Sequence, residues 1–447
     1  MRPRAVAIID GEHYPPVVRE AVGALSAEYD IVAAVFAGGV EKLGSAGDDA
    51  AYGLPLVTGR DAHAALEAAL REYTPEMVLD LSDEPVVTAA DRMALASTAL
   101  SLGAGYRGAD FAFSPPPRWV ATRTPVIAII GTGKRVGKTA VSAFVARYLK
   151  DTGRDVVVLA MGRGGPAEPE IIHGEETALT AEDLVTLARR GVHAASDNYE
   201  DALMSRVTTV GCRRCGGGLA GATFTSNVPE GAMLADALGK DVLIAEGSGS
   251  AIPPVAAGAT LVVVGAGRGA GYLRDFFGPY RMALADALVI AGAEEPIASP
   301  AELDELVELA GRMRPGLPVS LVTFRPRPLA DVAGARAFFA TTAPPGLLPV
   351  LTRHLEQEYG CEVVASSPHL SDRVRLREDM SRAEGTFDLL LTELKAAAVD
   401  VVAASGADAG VPTVFCDNEP VHAGGASLST VIERLMSLSI RRREARS

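Results

Sequence analysis

The stretch VIAIIGTGKRVGKTAVS, residues 126–142, decides how this chain is read. Five apolar residues, Val126–Ile130, make a strand, and a glycine-rich turn follows. Next comes a helix that carries Val141, Phe144, Val145, Tyr148 and Leu149 on one face and stops near Gly153. Strand, glycine loop and helix is the setting in which a GKT sequence holds phosphate. Successive backbone N–H groups turn inward, the glycines allow close approach, and the helix N-terminus adds its partial positive charge. On this reading Gly131, Thr132, Gly133, Lys134, Arg135, Val136, Gly137, Lys138 and Thr139 cradle ATP. Lys138 meets the β- and γ-phosphates, and the Thr139 hydroxyl ligates Mg2+. One detail departs from the usual motif: Thr132 stands where its first glycine belongs, and the glycine lies one residue earlier, at 131. The plainer alternative is a glycine turn that holds no nucleotide.

A second stretch, DVLIAEGSG (241–249), is an apolar strand ending in a carboxylate and a Gly-Ser-Gly turn. Open α/β sheets bind ligands beyond the carboxyl ends of their strands. After a phosphate loop, Glu246 is therefore the expected second residue at the Mg2+ site. Taken alone, a strand-terminal glutamate is usually only solvated.

Outward from these motifs, short β-branched runs alternate with helical stretches, the pattern of parallel α/β sheets. The expected fold is multi-domain α/β: a central P-loop NTPase-type, doubly wound, mostly parallel sheet flanked by two smaller Rossmann-like domains. Strands are expected at Ala5–Ile9, Ile31–Phe36 and Met77–Leu81, then from Val126–Ile130 to Val319–Phe324. The last part should hold strands at Ala337–Thr341, Glu362–Ser366, Asp388–Leu391, Val399–Ala403 and Thr413–Cys416. The proline cluster Ser114–Pro117 and the stretch Phe324–Pro328 read as linkers. They set expected units at 1–117, 118–328 and 329–447, the first binding substrate.

Composition narrows the class. A chain of 447 residues with 48% hydrophobic and 22% charged residues can bury sizeable cores. A net charge of −14 argues against a general nucleic-acid or anionic-membrane binder, though not against a local cationic pocket. No apolar run is long enough to span a membrane, and the start runs straight into a strand with no signal-peptide pattern. Four cysteines make no disulfide framework, so a reducing cytoplasm is expected. A homodimer is the expected assembly.

The phosphate loop together with the strand-EGSG turn resembles dethiobiotin synthetase and related P-loop enzymes. A tighter match runs along most of the chain. IDGEHYPPVV (9–18), GTGKRVGKTAVS (131–142), AMGRGGP (160–166), GCRRCGGG (211–218) and AEGSGS (245–250) occur in this order. They resemble the cyclic 2,3-diphosphoglycerate synthetase family. The resemblance implies an ATP-dependent ligase that closes 2,3-diphosphoglycerate into a cyclic pyrophosphate, releasing ADP and phosphate. Two other readings are a dethiobiotin synthetase-like ligase that activates a carboxylate, and a P-loop switch protein.

A substrate with two phosphates and a carboxylate needs convergent cations and N–H groups. Arg163, in the glycine turn after the second central strand, is expected to reach the γ-phosphate or the attacking phosphate; a solvated arginine is the plainer reading. Arg213 and Arg214, followed by three glycines, suit a flexible anion clamp. Cys212 and Cys215 around them form half a zinc site, but no second CxxC or nearby HxxxH completes it. His13, with Asp10 and Glu12 at the first strand's end, is expected to pair with a substrate phosphate or move a proton. The alternative there is a capped turn. Asp80–Glu84, Arg107 and Arg118 are weaker candidates. Glu393, Lys395, Asp417, Asn418, Glu419 and His422 lie at strand ends of the last part, each more simply structural. Arg325 and Arg327 are expected in a hinge, Arg441–Arg443 in a frayed tail, and Trp119 as a packing anchor.

Overall fold

The β-branched runs become buried strands because both faces of each sheet are covered by helices. The computed structural model describes residues 1–38, 49–117, 120–176, 179–194 and 196–446; Arg118 and Trp119 lie outside them. The first sheet holds β1 (Arg4–Ile9), β2 (Asp30–Phe36), β3 (Leu56–Val57), β4 (Met77–Asp80), β5 (Gly105–Arg107) and β6 (Ala112–Phe113). Their order is β3-β2-β1-β4-β5-β6, and only the β5–β6 pair is antiparallel.

The second sheet begins with β7 (Val126–Gly131), β8 (Val156–Gly162), β9 (Glu170–His173), β10 (Thr208–Cys215), β11 (Thr225–Ser226) and β12 (Val242–Glu246). It continues with β13 (Ala259–Gly265), β14 (Ala287–Ala291), β15 (Val319–Pro328), β16 (Arg336–Ala340), β17 (Glu362–Ser367), β18 (Leu389–Glu393) and β19 (Thr413–Gly425). The order is β11-β10-β8-β12-β7-β13-β14-β15-β19-β18-β16-β17, with β9 added on β10. Ile127, Ile129, Val158, Ile244 and Val263 form one core with Val141, Val145 and Leu149 of the helix Lys138–Asp151. The last helix, Leu428–Glu444, returns to close that core with Val431, Ile432 and Leu435. Full burial of each such side chain stabilises the fold by roughly 1.5–3 kcal/mol.

A ribbon of two long antiparallel strands, β15 and β19, joins the two parallel halves of this sheet. The ladders use different stretches of it. β14 pairs with residues 319–322 of β15, whereas β18 pairs with 413–416 of β19, and Cys416 lies opposite Pro328 at the far end. The halves are therefore offset along the ribbon and run in opposite senses. The carboxyl ends of β7, β8, β12, β13 and β14 point toward the carboxyl ends of β16 and β18, leaving a space between.

Four expectations need correction. Val399–Ala403 is not a strand but part of a π-helical segment, Ala398–Ala403; alanines on both sides and burial of nearly every side chain favour helix over its β-branched content. Phe324–Pro328 is not a linker but the far half of β15. There Arg325 pairs with Glu294 at 2.8 Å, and Arg327 with Glu419 at 2.7 Å. Arg441–Arg443 are helical rather than frayed, because Arg442 forks onto Asp286 with two bonds of 2.7 Å. The GCRRC segment is no flexible turn: Gly211–Cys215 belongs to β10. Strand alternation turns Cys212 and Cys215 to opposite faces, so they cannot share a zinc ion. Cys212 is buried and Cys215 exposed.

Candidate functional site

Gly131 ends β7, and the loop turns into the helix that starts at Lys138. A Cβ at Gly131 would lie 2.8 Å from Lys138 Cδ, so the early glycine makes room for the lysine stem to fold back over the loop. Gly137 sits at φ +86°, and a Cβ there would meet the Phe324 ring at 2.4 Å. Glycine is required at this point on both counts. No side chain caps the helix, so its first N–H groups remain available to an anion.

Lys138 is 7% exposed, and its Nζ donates to Gly133 O at 3.2 Å. Burial pulls its pKa down, while Glu246 and Asp197 oppose that shift. Thr139 Oγ1 donates to Glu246 Oε1 at 2.9 Å, as the pairing of a loop threonine with the strand-end carboxylate demands. Glu246 is 5% exposed, and burial pushes its pKa up to about 7.

The helix Asp197–Ser205 brings a residue that sequence reasoning did not single out. Asp201 is 1% exposed and adjoins Glu246 within hydrogen-bonding reach. Burial, and after it Glu246, pushes the Asp201 carboxyl well above its usual range. Both Asp201 side-chain oxygens and Glu246 Oε2 are buried with no donor among the described residues. Two carboxyl groups so placed need a shared proton or a cation between them. A threonine hydroxyl with two buried carboxylates is an oxygen donor set that fits a Mg2+ ion. The D-x-x-E-D spacing of Asp197, Glu200 and Asp201 put them on one helix face, a signal present in the sequence.

Lys138, Thr139, Asp197 and Glu246 border a cavity of about 970 Å3 between the facing strand ends. Lys134, Arg135, Lys138, Arg163 and Arg268 line it, and among the described residues none has a carboxylate partner within 4 Å. Arg163 leads the causes, ahead of burial, that lower the pKa of Lys134. The opposite wall belongs to the C-terminal half. There Glu393 accepts from the hydroxyls of Thr341 and Thr342, and Lys395 reaches Glu200.

Of the cationic candidates, Lys138 and Arg163 line the cavity. Arg214 stands behind it, donating to Gly216 O and to Ser248 O at 2.7 Å, and so fixes the turn after Glu246. Arg213 is exposed on the other face of β10, where its backbone N–H bonds Asn227 Oδ1 at 2.7 Å. His13 lies at the end of β1, with Nδ1 3.0 Å from Asp10 and Nε2 3.4 Å from Asp83. Among the described residues, none of those in 1–117 lines the cavity.

Arg281 is a further residue that the sequence did not suggest. It is 3% exposed and donates to the carbonyls of Gly131, Leu219, Phe277 and Ser250. Burial lowers its pKa to about 10. It ties the start of the phosphate loop to the turn beyond Glu246.

Three family models match consecutive stretches of the chain: the N-terminal, P-loop and C-terminal domains of cyclic 2,3-diphosphoglycerate synthetase, over residues 4–114, 126–322 and 328–419. The chain is 49% identical over 423 residues to the cyclic 2,3-diphosphoglycerate synthetase of Rubrobacter xylanophilus, covering 94% of this chain and 95% of that one. It is 43% identical over 447 residues to that of Methanothermobacter thermautotrophicus, covering 97% and 96%. With the synthetase of Methanothermus fervidus it shares 46% identity over 428 residues, covering 94% and 93%. No helix among the described residues is long and apolar enough to cross a membrane. A phosphate cradle at one end of a cation-lined cavity, in a chain matched along nearly its whole length, leads to one assignment: the chain belongs to the cyclic 2,3-diphosphoglycerate synthetase family.

Proposed function

We propose that this protein uses ATP to close 2,3-diphosphoglycerate into its cyclic pyrophosphate, releasing ADP and inorganic phosphate. The observation that carries the reading is the cavity itself. It joins a triphosphate cradle to five cations that have no carboxylate partner within 4 Å among the described residues, the neutralisation that two converging phosphates require.

The chemistry follows from charge. An oxygen of one substrate phosphate attacks the γ-phosphorus, and ADP leaves. The neighbouring phosphate then attacks the substrate phosphorus so activated. The former γ-phosphate departs as inorganic phosphate, and the ring closes. Lys138 and the helix N-terminus hold the β- and γ-phosphates in line. Arg163 holds the incoming phosphate against its partner's repulsion. Arg214 acts one step removed, by fixing Ser248 and the turn after Glu246. Thr139, Glu246 and Asp201 would hold Mg2+, which offsets negative charge on the transferring phosphoryl group. His13 and Arg213 have no part in these steps. In this reading 118–328 and 329–447 supply the two walls, and 1–117 packs beside them. We place the enzyme in the cytoplasm as a homodimer, a common closed assembly, which sedimentation would test.

Labelled ATP tests the order of events. With [γ-32P]ATP and 2,3-diphosphoglycerate, the label should appear in inorganic phosphate while the cyclic product stays unlabelled. ADP formation that ignores the acid, or label in the ring, would overturn the proposal.

A further inference from the structure

The wall opposite the phosphate loop carries a cation that the loop itself does not account for. Lys395 follows β18 by two residues and crosses the cavity to Glu200, with Nζ 2.5 Å from Oε1. The nearest carboxylate on its own segment, Glu393, is already held by the hydroxyls of Thr341 and Thr342. An ammonium group has three donors, and Glu200 is the one hydrogen-bond partner found for it among the described residues. Glu200 is enclosed, with 13% of its side chain exposed, whereas 43% of the Lys395 side chain is exposed and lines the cavity.

The surroundings explain what such a group is for. Lys134 is depressed first by Arg163, and Lys395 adds to the same effect, so the three cations feel one another across the space. Desolvation in the cavity wall opposes the charge on Lys395, but Glu200, Glu393 and Asp197 together outweigh it and keep the pKa raised. Like charges drawn together from two halves of a sheet cost stability unless an anion comes between them. The phosphate loop accounts for Lys138 and its neighbours. It does not account for a lysine reaching in from the C-terminal half.

We propose that Lys395 is a substrate-binding residue: it donates to a phosphate of the 2,3-diphosphoglycerate from the wall facing Arg163, so that the acid bridges the two halves of the sheet. This rests on the function proposed above. Glu200 holds the ammonium group in place before the acid arrives and stays bonded to it afterwards. The acid's two phosphates are then gripped from opposite sides, so binding itself presses them together.

The test compares Lys395→Met and Lys395→Arg with the wild type. Titration of 2,3-diphosphoglycerate into protein holding ADP reads binding without turnover. A parallel titration with ATP reads the phosphate loop, and thermal melting reads the fold. Lys395→Met should weaken binding of the acid on the order of 10- to 100-fold, the worth of one charge-assisted hydrogen bond. ATP affinity should be unchanged, and Lys395→Arg should restore much of the loss. Unchanged affinity for the acid in Lys395→Met would overturn the proposal. So would a parallel loss of ATP affinity or of melting temperature in both variants, which marks a purely structural lysine. A wild type that binds the acid but makes no cyclic product would defeat the proposed reaction, while the binding comparison would still decide the role of Lys395.

Discussion

Replacing Lys138 by methionine removes the cation at the cradle and keeps most of its apolar stem. That stem is buried against Gly131, and Nζ rests 3.2 Å from Gly133 O, so methionine occupies nearly the same volume. At about 4 Å from a phosphate oxygen, a unit charge contributes about 4 kcal/mol when the effective dielectric constant is about 20. Part of this acts on bound ATP as well as on the transition state. A transition-state share of about 3–4 kcal/mol is typical for a preorganised group facing developing charge. The expected loss in kcat is therefore about 10^2–10^3-fold, at roughly 1.4 kcal/mol per tenfold. Coupled ADP release with both substrates saturating measures it, and a melting curve establishes that the variant is folded. A folded Lys138→Met enzyme with turnover near wild type would refute the reasoning, because the cradle would then have no part in the transfer.

Gly137→Ala should be damaging for two separate reasons, a left-handed φ and a Phe324 ring at 2.4 Å. The backbone alone costs roughly 1–2 kcal/mol, and fluorescent-nucleotide titration should show weakened ATP binding; wild-type affinity would contradict the loop geometry. Arg213 and Arg214 should separate cleanly. Arg214→Ala frees the turn at Ser248 and should lower kcat/KM for the acid about tenfold, as one lost hydrogen bond to a charged group does, while Arg213→Ala leaves it near wild type. Equal effects would put both guanidinium groups on one face of β10. At the end of β1, the hydrogen bond to Asp10 raises the pKa of His13 above 6.5. Its stabilising effect is thus complete below pH 6.5 and is lost as pH rises through the folded value. Burial works against the Asp10 charge, but His13 and three backbone N–H groups hold its pKa below 3.8, so its contribution fades on acidification. NMR titration of the His13 ring, with denaturation across pH in wild type and His13→Asn, checks both signs. A ring midpoint at or below 6.5 would contradict the pairing.

What the sequence disclosed was local in nature. The phosphate loop is readable because strand, glycines, lysine and helix are consecutive, and Glu246 because it ends a strand. Asp201 needs a contact made 45 positions along the chain, between a helix and the strand that ends at Glu246. Nothing in a single helix face says which strand end it will meet. Arg213 and Arg214 misled because three glycines suggested a turn, whereas pairing with β8 over Thr208–Arg213 holds the segment extended. Val399–Ala403 misled in the other direction, its β-branched content outweighed by the alanines around it. Phe324–Pro328 looked like a linker because prolines are rare inside strands. It is instead the far half of the ribbon that offsets the two sheet halves and so makes the cavity. Arg281 left no local trace at all: its partners are four carbonyls drawn from four segments.

The most direct test is 31P NMR of the purified protein with ATP, Mg2+ and 2,3-diphosphoglycerate. The account predicts new resonances in the pyrophosphate region beyond those of the nucleotides, growing in step with ADP and inorganic phosphate, and absent when either substrate is withheld. ADP and phosphate accumulating while the monoester resonances of the acid persist unchanged would contradict it.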